Sequence, residues 1–350
     1  MQDNLGIPPP PPPGVSEVRG PRGIKWIVFL AVVLVVAAAS NWIPVPVFYI
    51  YQPGPVRDVE ELVEIDEAQT YSSEGRLLLT TVNVKVDVVL RDWVVAMFDP
   101  SATVVLKEEV TGGGSLQELE RQQRQEMVAS KQHAEEVALA ALGIAEPRGE
   151  GAEIKATVQG APAEGVLRED DIIIRVNGLE VSTTCDVGRQ IDRTEIGDDL
   201  ELTVLRDDER KTISVTTEKN PQDPSTSYIG IFMDEIRYRF DPGFDVDFET
   251  GEIAGPSAGL MFALALYDRL TPGDLTRGMD IAGTGTIACD GGVGPIGGVE
   301  QKVAGAEAQG AEIFLSPTAN VAAAEEIADE IEVVSVSTFD DAVEYLEGLE

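Results

Sequence analysis

From Trp26 to Tyr51 the chain carries no charged residue, and Trp26 to Ala39 is apolar throughout. With its flanks this run is long enough to span the ~30 Å of a bilayer's hydrocarbon. A backbone in that medium has to satisfy its own amides, so residues 24–46 are expected to form a single transmembrane helix. Arg19, Arg22 and Lys25 precede it, whereas Asp58, Glu60, Glu61 and Glu64 follow. The positive-inside bias therefore puts residues 1–23, with the Pro8 to Pro13 run, in a cytoplasmic tail and the rest of the chain outside. Trp26 and Trp42 fit interfacial anchors. The competing reading is a cleaved signal peptide, because Ala37-Ala38-Ala39 is a small-residue site behind an apolar core. Under both readings the chain's mass is exported, and a single-pass protein of the cell membrane is expected.

The exported part has room for two or three domains in a 350-residue chain that is 43% apolar. Its 62 acidic and 26 basic residues give a formal charge of −36, which repels phosphate backbones and excludes a nucleic-acid partner. The two cysteines, Cys185 and Cys289, show no CxxC spacing, so neither a zinc site nor a disulfide scaffold is indicated, and one long-range pairing stays open. His133 is the only histidine and sits among polar helix residues. A Ser-His-Asp triad would have to use it, and no histidine-rich metal site can be assembled. Asp241, Asp245, Asp247, Glu249 and Glu252 hint at a calcium loop, but Val246 stands where such a loop needs glycine, and a strand with Phe244, Val246 and Phe248 inward is expected instead. No metal and no cofactor are expected.

Residues 47–142 read as a connecting region: a strand from Leu77 to Val84, then a Gln- and Glu-rich helix with Leu116, Leu119, Met127, Val137 and Leu142 at loosely helical spacing, which would pack weakly or join domains. Residues 143–219 carry short strands such as Ile172–Val176, the Asn177-Gly178 turn and the alternating Leu200–Val204, the texture of a small β-rich domain. Beyond the polar, Pro-rich boundary at 220–225, residues 225–350 alternate strand and helix. The class is α/β (α+β). There is no GxxxxGK[ST] phosphate loop.

Two segments carry chemistry. Gly255-Pro256-Ser257-Ala258-Gly259 stands directly before the apolar run Leu260 to Leu266, which places the serine at the start of a buried helix. Unpaired amides and the positive helix end favour an oxyanion there, while glycine and alanine leave room for a substrate backbone; an ordinary N-cap serine is the bland alternative. Gly297-Gly298-Val299-Glu300-Gln301-Lys302 puts a lysine in the first turn of another helix. The dipole and the apolar Ile296, Val299 and Val303 both lower an ammonium's pKa, which a lysine needs to take a proton from serine.

The pair, 45 residues apart, resembles the Ser-Lys peptidase domain of the Lon family. That resemblance implies Ser257 as nucleophile, Lys302 as general base, Thr284 of Gly283-Thr284-Gly285-Thr286 as the residue that orients the lysine, and Gly255, Pro256 and Ala258 as the oxyanion and substrate loop. Where family members commonly carry an acid three residues before the serine, this chain has Ala254. Upstream, Gly160-Ala161-Pro162-Ala163 and Glu169-Asp170-Asp171-Ile172 through Val176-Asn177-Gly178 resemble a PDZ domain, with Asp170 in place of the usual glycine. A PDZ domain adds an extended peptide to a sheet edge, and Leu142-Gly143-Ile144 is the candidate nest for its carboxylate, with a helix C-cap at Gly143 as the alternative. Anchor, PDZ and peptidase in this order are similar to the YlbL-like peptidases. The resemblance implies an ATP-independent serine endopeptidase acting on peptides, membrane-associated or unfolded proteins outside the membrane, and a homo-oligomer in the form of a hexameric ring. The alternative is a PDZ peptide-binding scaffold with a vestigial peptidase.

Overall fold

The computed structural model describes residues 26–27, 29–31, 38–221, 224–251 and 253–349. The tail and residues 24, 25, 28 and 32–37 of the membrane helix expected at 24–46 lie outside these residues; Ser40 to Pro46 form turns and a bridge between Pro44 and Val89, so the expected helix does not continue to 46. Among the described residues no helix is long and apolar enough to cross a membrane.

The chain first lays down β1 (Phe48–Pro53), β2 (Arg57–Asp58), β3 (Val63–Asp66), β4 (Arg76–Leu79), β5 (Val82–Lys85), the short helix α1 (Leu90–Ala96) and β6 (Thr103–Leu106). The stretch expected as one strand from Leu77 to Val84 is two. It breaks at Thr80-Thr81, where the Thr80 hydroxyl donates to the Gly283 carbonyl. β4 then belongs to one sheet and β5 to another, a three-stranded β5-β1-β6 sheet.

Helix α2 (Leu116–Ala141) opens with a capping box between Ser115 and Glu118. It is no weak connector. Met127, Ala134, Val137, Ala138 and Leu139 are buried in one core with Leu77, Leu79 and the helix α4 described below. Its apolar residues are diluted by Gln and Glu on the outward face, which hid the stripe.

The next strands form the inserted β-rich unit: β7 (Ala152–Thr157), β8 (Ile172–Val176), helix α3 (Thr184–Arg193), β9 (Asp199–Arg206), β10 (Glu209–Thr216) and β11 (Ile231–Glu235). The sheet order is β10-β9-β8-β7-β11. Its separate core is built from Ile154, Ile173, Val176, Leu200, Leu202 and Val204, the inward members of period-two strands. The unit therefore closes only at residue 235, not at 219, because β11 pairs antiparallel with β7.

The chain then re-enters the first unit. β12 (Asp245–Phe248) pairs with β3, placing Phe248 opposite Val63; Phe248 is buried and Phe244 and Val246 pack on the core, as expected of a strand. Among the described residues no group of acids could hold a metal ion. Helix α4 (Gly259–Leu270) is buried at every position from Gly259 to Leu266, as an all-round apolar helix must be. β13 (Asp280–Gly283), helix α5 (Val299–Ala308), β14 (Ile313–Pro317), β15 (Glu332–Val336) and α6 (Phe339–Glu347) complete the unit. Its sheet runs β2-β4-β13-β14-β15, parallel from β4 onward. β14 is buried along its whole length, as central parallel strands covered on both faces are. Residues 47–142 thus supply two strands of this sheet and a core helix, and the β-rich unit is an insertion between α2 and β12.

Candidate active site

Three side chains from three different elements converge beside the end of β13. Ser257 lies in a 3-10 turn, Pro256–Ala258, that runs directly into α4. Gly255 before it has φ 93°, a left-handed value that a side chain would make costly and that turns the chain sharply into the helix. The opening amides of such a helical segment have no carbonyl a turn behind them and point at incoming negative charge. Lys302 sits in the first turn of α5, whose N-cap Gly298 has φ 67°; a Cβ there would also come within 2.7 Å of Val82. Thr284 follows the last residue of β13 and is fully buried.

The lysine ammonium reaches both hydroxyls: Lys302 Nζ lies 2.8 Å from Ser257 Oγ and 2.7 Å from Thr284 Oγ1. Thr284 Oγ1 in turn donates to the Ser257 carbonyl at 3.0 Å. The Gly285 N–H donates to the same carbonyl at 2.9 Å, and Leu260 N–H to the Gly285 carbonyl. This interlock ties the serine turn to the loop after β13. Lys302 is 3% exposed. Burial, with no ion pair among the described residues, pushes its pKa down to about 7.

A neutral lysine then has one lone pair and two N–H bonds. Thr284 Oγ1 takes one N–H, so the lone pair faces Ser257 Oγ, the orientation needed to remove the serine proton.

Helix α2 braces this site. The Ser130 hydroxyl donates to the Pro256 carbonyl at 2.9 Å and the Gly255 N–H donates to the Gln123 carbonyl at 3.3 Å. Neither Ser130 nor Gln123 stood out in the sequence, because bracing polar groups have no spacing signature. His133, on the same helix, is half-buried, not exposed as its polar neighbours suggested, and its Nδ1 lies 3.2 Å from the Ile287 carbonyl, so it is no partner of Ser257.

Ser257 and Lys302 open onto a cavity of about 670 Å³ that is also lined by Gly255, Pro256, Ala258 and Arg57. Leu142-Gly143-Ile144 does not line this cavity; Ile144 lines a separate one of about 480 Å³ with Arg148, Arg237 and Arg239. The Leu142, Gly143 and Ile144 N–H groups donate to the carbonyls of Ala138, Ala140 and Leu139, and Gly143 has φ 66°: the segment is the C-cap of α2. Of the two edge strands of the inserted sheet, β11 is the one flanked by α3, through the Thr184 hydroxyl and N–H, which donate to Glu235. The Ile229-Gly230-Ile231 turn that leads into this edge strand was the missed signal.

Cys185, in the first turn of α3, and Cys289, in the loop after Thr286-Ile287, form a disulfide with Cα atoms 6.0 Å apart. It joins the inserted unit to the Ser257 unit across a second cavity of about 640 Å³. The long-range pairing left open by the sequence is thereby settled.

Residues 248–347 match the Lon protease (S16) C-terminal proteolytic domain, and residues 130–217 match the PDZ domain. Lon protease 1 of Thermus thermophilus is 46% identical over 77 residues, 22% of this chain and 9% of that protein. Lon protease 2 of Bacillus subtilis is 33% identical over 112 residues, 31% of this chain and 18% of that protein. Protease Do-like 1, chloroplastic, of Arabidopsis thaliana is 33% identical over 97 residues, 27% of this chain and 22% of that protein. The chain thus spans less than a quarter of the length of the curated relatives it matches. Among solved structures, the PDZ domain of the SdrC-like protein of Listeria innocua matches at 19% identity, with 24% of this chain and 92% of that chain covered and a TM-score of 0.22. The protein that places a serine, a threonine and a buried lysine within hydrogen-bonding distance of one another carries a Lon-type (S16) proteolytic domain with a PDZ domain inserted into it.

Proposed function

We propose that the chain is an ATP-independent serine endopeptidase in which Ser257 attacks the peptide carbonyl and neutral Lys302 takes its proton. The observation that carries this reading is the 2.8 Å approach of a buried lysine to the serine hydroxyl. Lys302 then returns the proton to the leaving amine, the acyl group stays on Ser257 Oγ, and a water activated by the same lysine releases it. Thr284 holds the lysine in place throughout. A vestigial peptidase has no chemical reason to keep the three groups in contact, which disfavours the scaffold alternative. The 350 residues hold no phosphate loop, and in this reading the cleft accepts peptides that are already extended. β11 is the edge to which a substrate strand adds, in register with the backbone groups it leaves unpaired.

The catalytic mass works outside the cytoplasmic membrane in this reading. The apolar run from Trp26, the basic residues before it and the Cys185–Cys289 disulfide, a bond that persists in oxidising compartments, support that placement. The test is labelling of the full chain with a fluorophosphonate, followed by mass mapping. Modification at Ser257, lost in Ser257→Ala along with peptide cleavage, is expected. Modification at another serine with cleavage retained in Ser257→Ala would overturn the assignment.

A further inference from the structure

Helix α1 turns its large apolar residues outward. A quarter of the chain's residues are charged, yet Trp93 to Phe98 contains none. Trp93 faces inward, stacked on Phe48 with ring centroids 6.4 Å apart, and Ala96 is buried beneath the helix. Val94, Val95 and Met97 are exposed, and Phe98 is 84% exposed. Positions 91, 94 and 95 share one helix face, and the turn that follows α1 carries Met97 and Phe98.

The segment that follows the apolar run is clamped along this helix. Leu90 N–H donates to the Ile43 carbonyl at 2.9 Å, Arg91 N–H to the Ser40 carbonyl at 3.3 Å, and Val45 N–H to the Val88 carbonyl at 2.8 Å. The Arg91 guanidinium donates to Asn41 Oδ1 at 3.2 Å. Exposed Ile43 and Trp42, the latter 85% exposed, are therefore fixed beside the start of α1 and extend its apolar face. Isolated surface hydrophobics need no explanation; a contiguous patch rimmed by a tryptophan does.

We propose that this face seats the protein on the lipid surface, with α1 flat at the boundary between headgroups and acyl chains, Trp42, Val94, Val95, Met97 and Phe98 immersed, and Arg91 at phosphate level. This rests on the reading of the apolar run that starts at Trp26 as an anchor, ending at Ala39 and not at Pro46. Ala39 ends the apolar run one residue before Ser40, whose carbonyl α1 already holds, so α1 lies at the point where the chain leaves the bilayer. A surface of net −36 is repelled by anionic headgroups, but this face presents Arg91, and of the acids at its edges Asp87 is exposed while Asp92 and Asp99 are engaged. Asp92 pairs with Lys85 at 2.7 Å, and Asp99 accepts from the Ser101 hydroxyl and N–H. An amphipathic helix of this kind binds by buried apolar area.

Seating fixes the orientation of the cleft. β1 carries the packing partners of α1 and pairs with β5, whose Val82, Asn83 and Val84 line the Ser257 cavity. The cleft is then held at a set height above the membrane, within reach of juxtamembrane segments.

The test uses the full chain, one copy per lipid nanodisc, with 4-fluorophenylalanine in place of Phe98 or, as a control, of Phe232, which is exposed on the edge strand β11. Dissolved oxygen, which concentrates in lipid, should broaden the fluorine resonance at 98, and an aqueous gadolinium chelate should lose its effect there while broadening the one at 232. Equal broadening of both positions by the chelate would overturn the seating, and would leave the face to a second copy of the chain, which a single-copy disc excludes. Failure of the chain to enter discs would overturn the anchor and the seating together.

Discussion

Replacing Lys302 by methionine should abolish cleavage and at the same time make the protein more stable at neutral pH. The lysine is buried and its pKa is pushed from about 10.5 down to about 7 by desolvation. At roughly 1.4 kcal/mol per tenfold change in proton affinity, holding this ammonium in the fold costs on the order of 4 kcal/mol at neutral pH. Methionine removes that cost at similar volume but forfeits hydrogen bonds to Ser257 Oγ and Thr284 Oγ1, together about 1–3 kcal/mol. The net expectation for Lys302→Met at pH 7 is a gain of about 1–3 kcal/mol. The sign with pH is fixed by the direction of the shift. Below pH 7 the lysine is protonated in both folded and unfolded chains and the cost is full. Between pH 7 and about 10.5 the folded chain has lost the proton while the unfolded chain still holds it, so the wild type gains stability as pH rises and the advantage of Lys302→Met shrinks, then reverses. Urea unfolding of both proteins at several pH values from 6 to 10 measures this directly. A stability difference that stays constant over that range would refute the argument that Lys302 is held neutral by burial.

The remaining expectations concern activity and architecture. In the wild type kcat/KM should rise with pH through about 7 as Lys302 loses its proton, and Lys302→Arg should be as inactive as Lys302→Ala over the same range because guanidinium keeps its charge. Thr284→Val removes the acceptor that aims the lysine and should lower kcat by about 10- to 100-fold, with KM little changed, in steady-state assays of a fluorogenic peptide. The double substitution Cys185→Ser and Cys289→Ser opens a 104-residue loop and should lower unfolding stability by about 2–4 kcal/mol, while short-peptide cleavage persists; unfolding under non-reducing conditions tests it. Arg57 lines the Ser257 cavity and forms no ion pair among the described residues, so peptides with Glu within about three residues of the scissile bond should be cleaved faster than their Lys counterparts, and Arg57→Glu should invert that order.

What sequence alone determined lies in short-range patterns. Ser257 ahead of an unbroken apolar run and Lys302 after a double glycine were legible because helix starts and tight turns are local events, decided by a few adjacent residues, whereas Thr284 was marked only by the resemblance to the Lon family. The strands of the inserted unit were legible for the same reason, through period-two alternation and an Asn-Gly turn. The structure decided whatever depends on partners distant in the chain. Nothing local marks Leu77–Leu79 as neighbours of Ile281, yet β4 pairs with β13 and with β2, which makes Arg57–Asp58 and Arg76–Leu79 strands of the proteolytic sheet. Gln and Glu between the apolar positions of α2 concealed a helix whose Ser130 and Gln123 hold the nucleophile's turn. The carboxylate nest read at Leu142-Gly143-Ile144 failed because a C-cap and a nest share the same glycine conformation, and only the acceptors already in place for those amides tell them apart. Whether Cys185 and Cys289 meet was likewise a question of tertiary approach. A disulfide requires two Cα atoms about 6 Å apart, and it is the packing of one domain inside another that brings residues 104 positions apart to that distance.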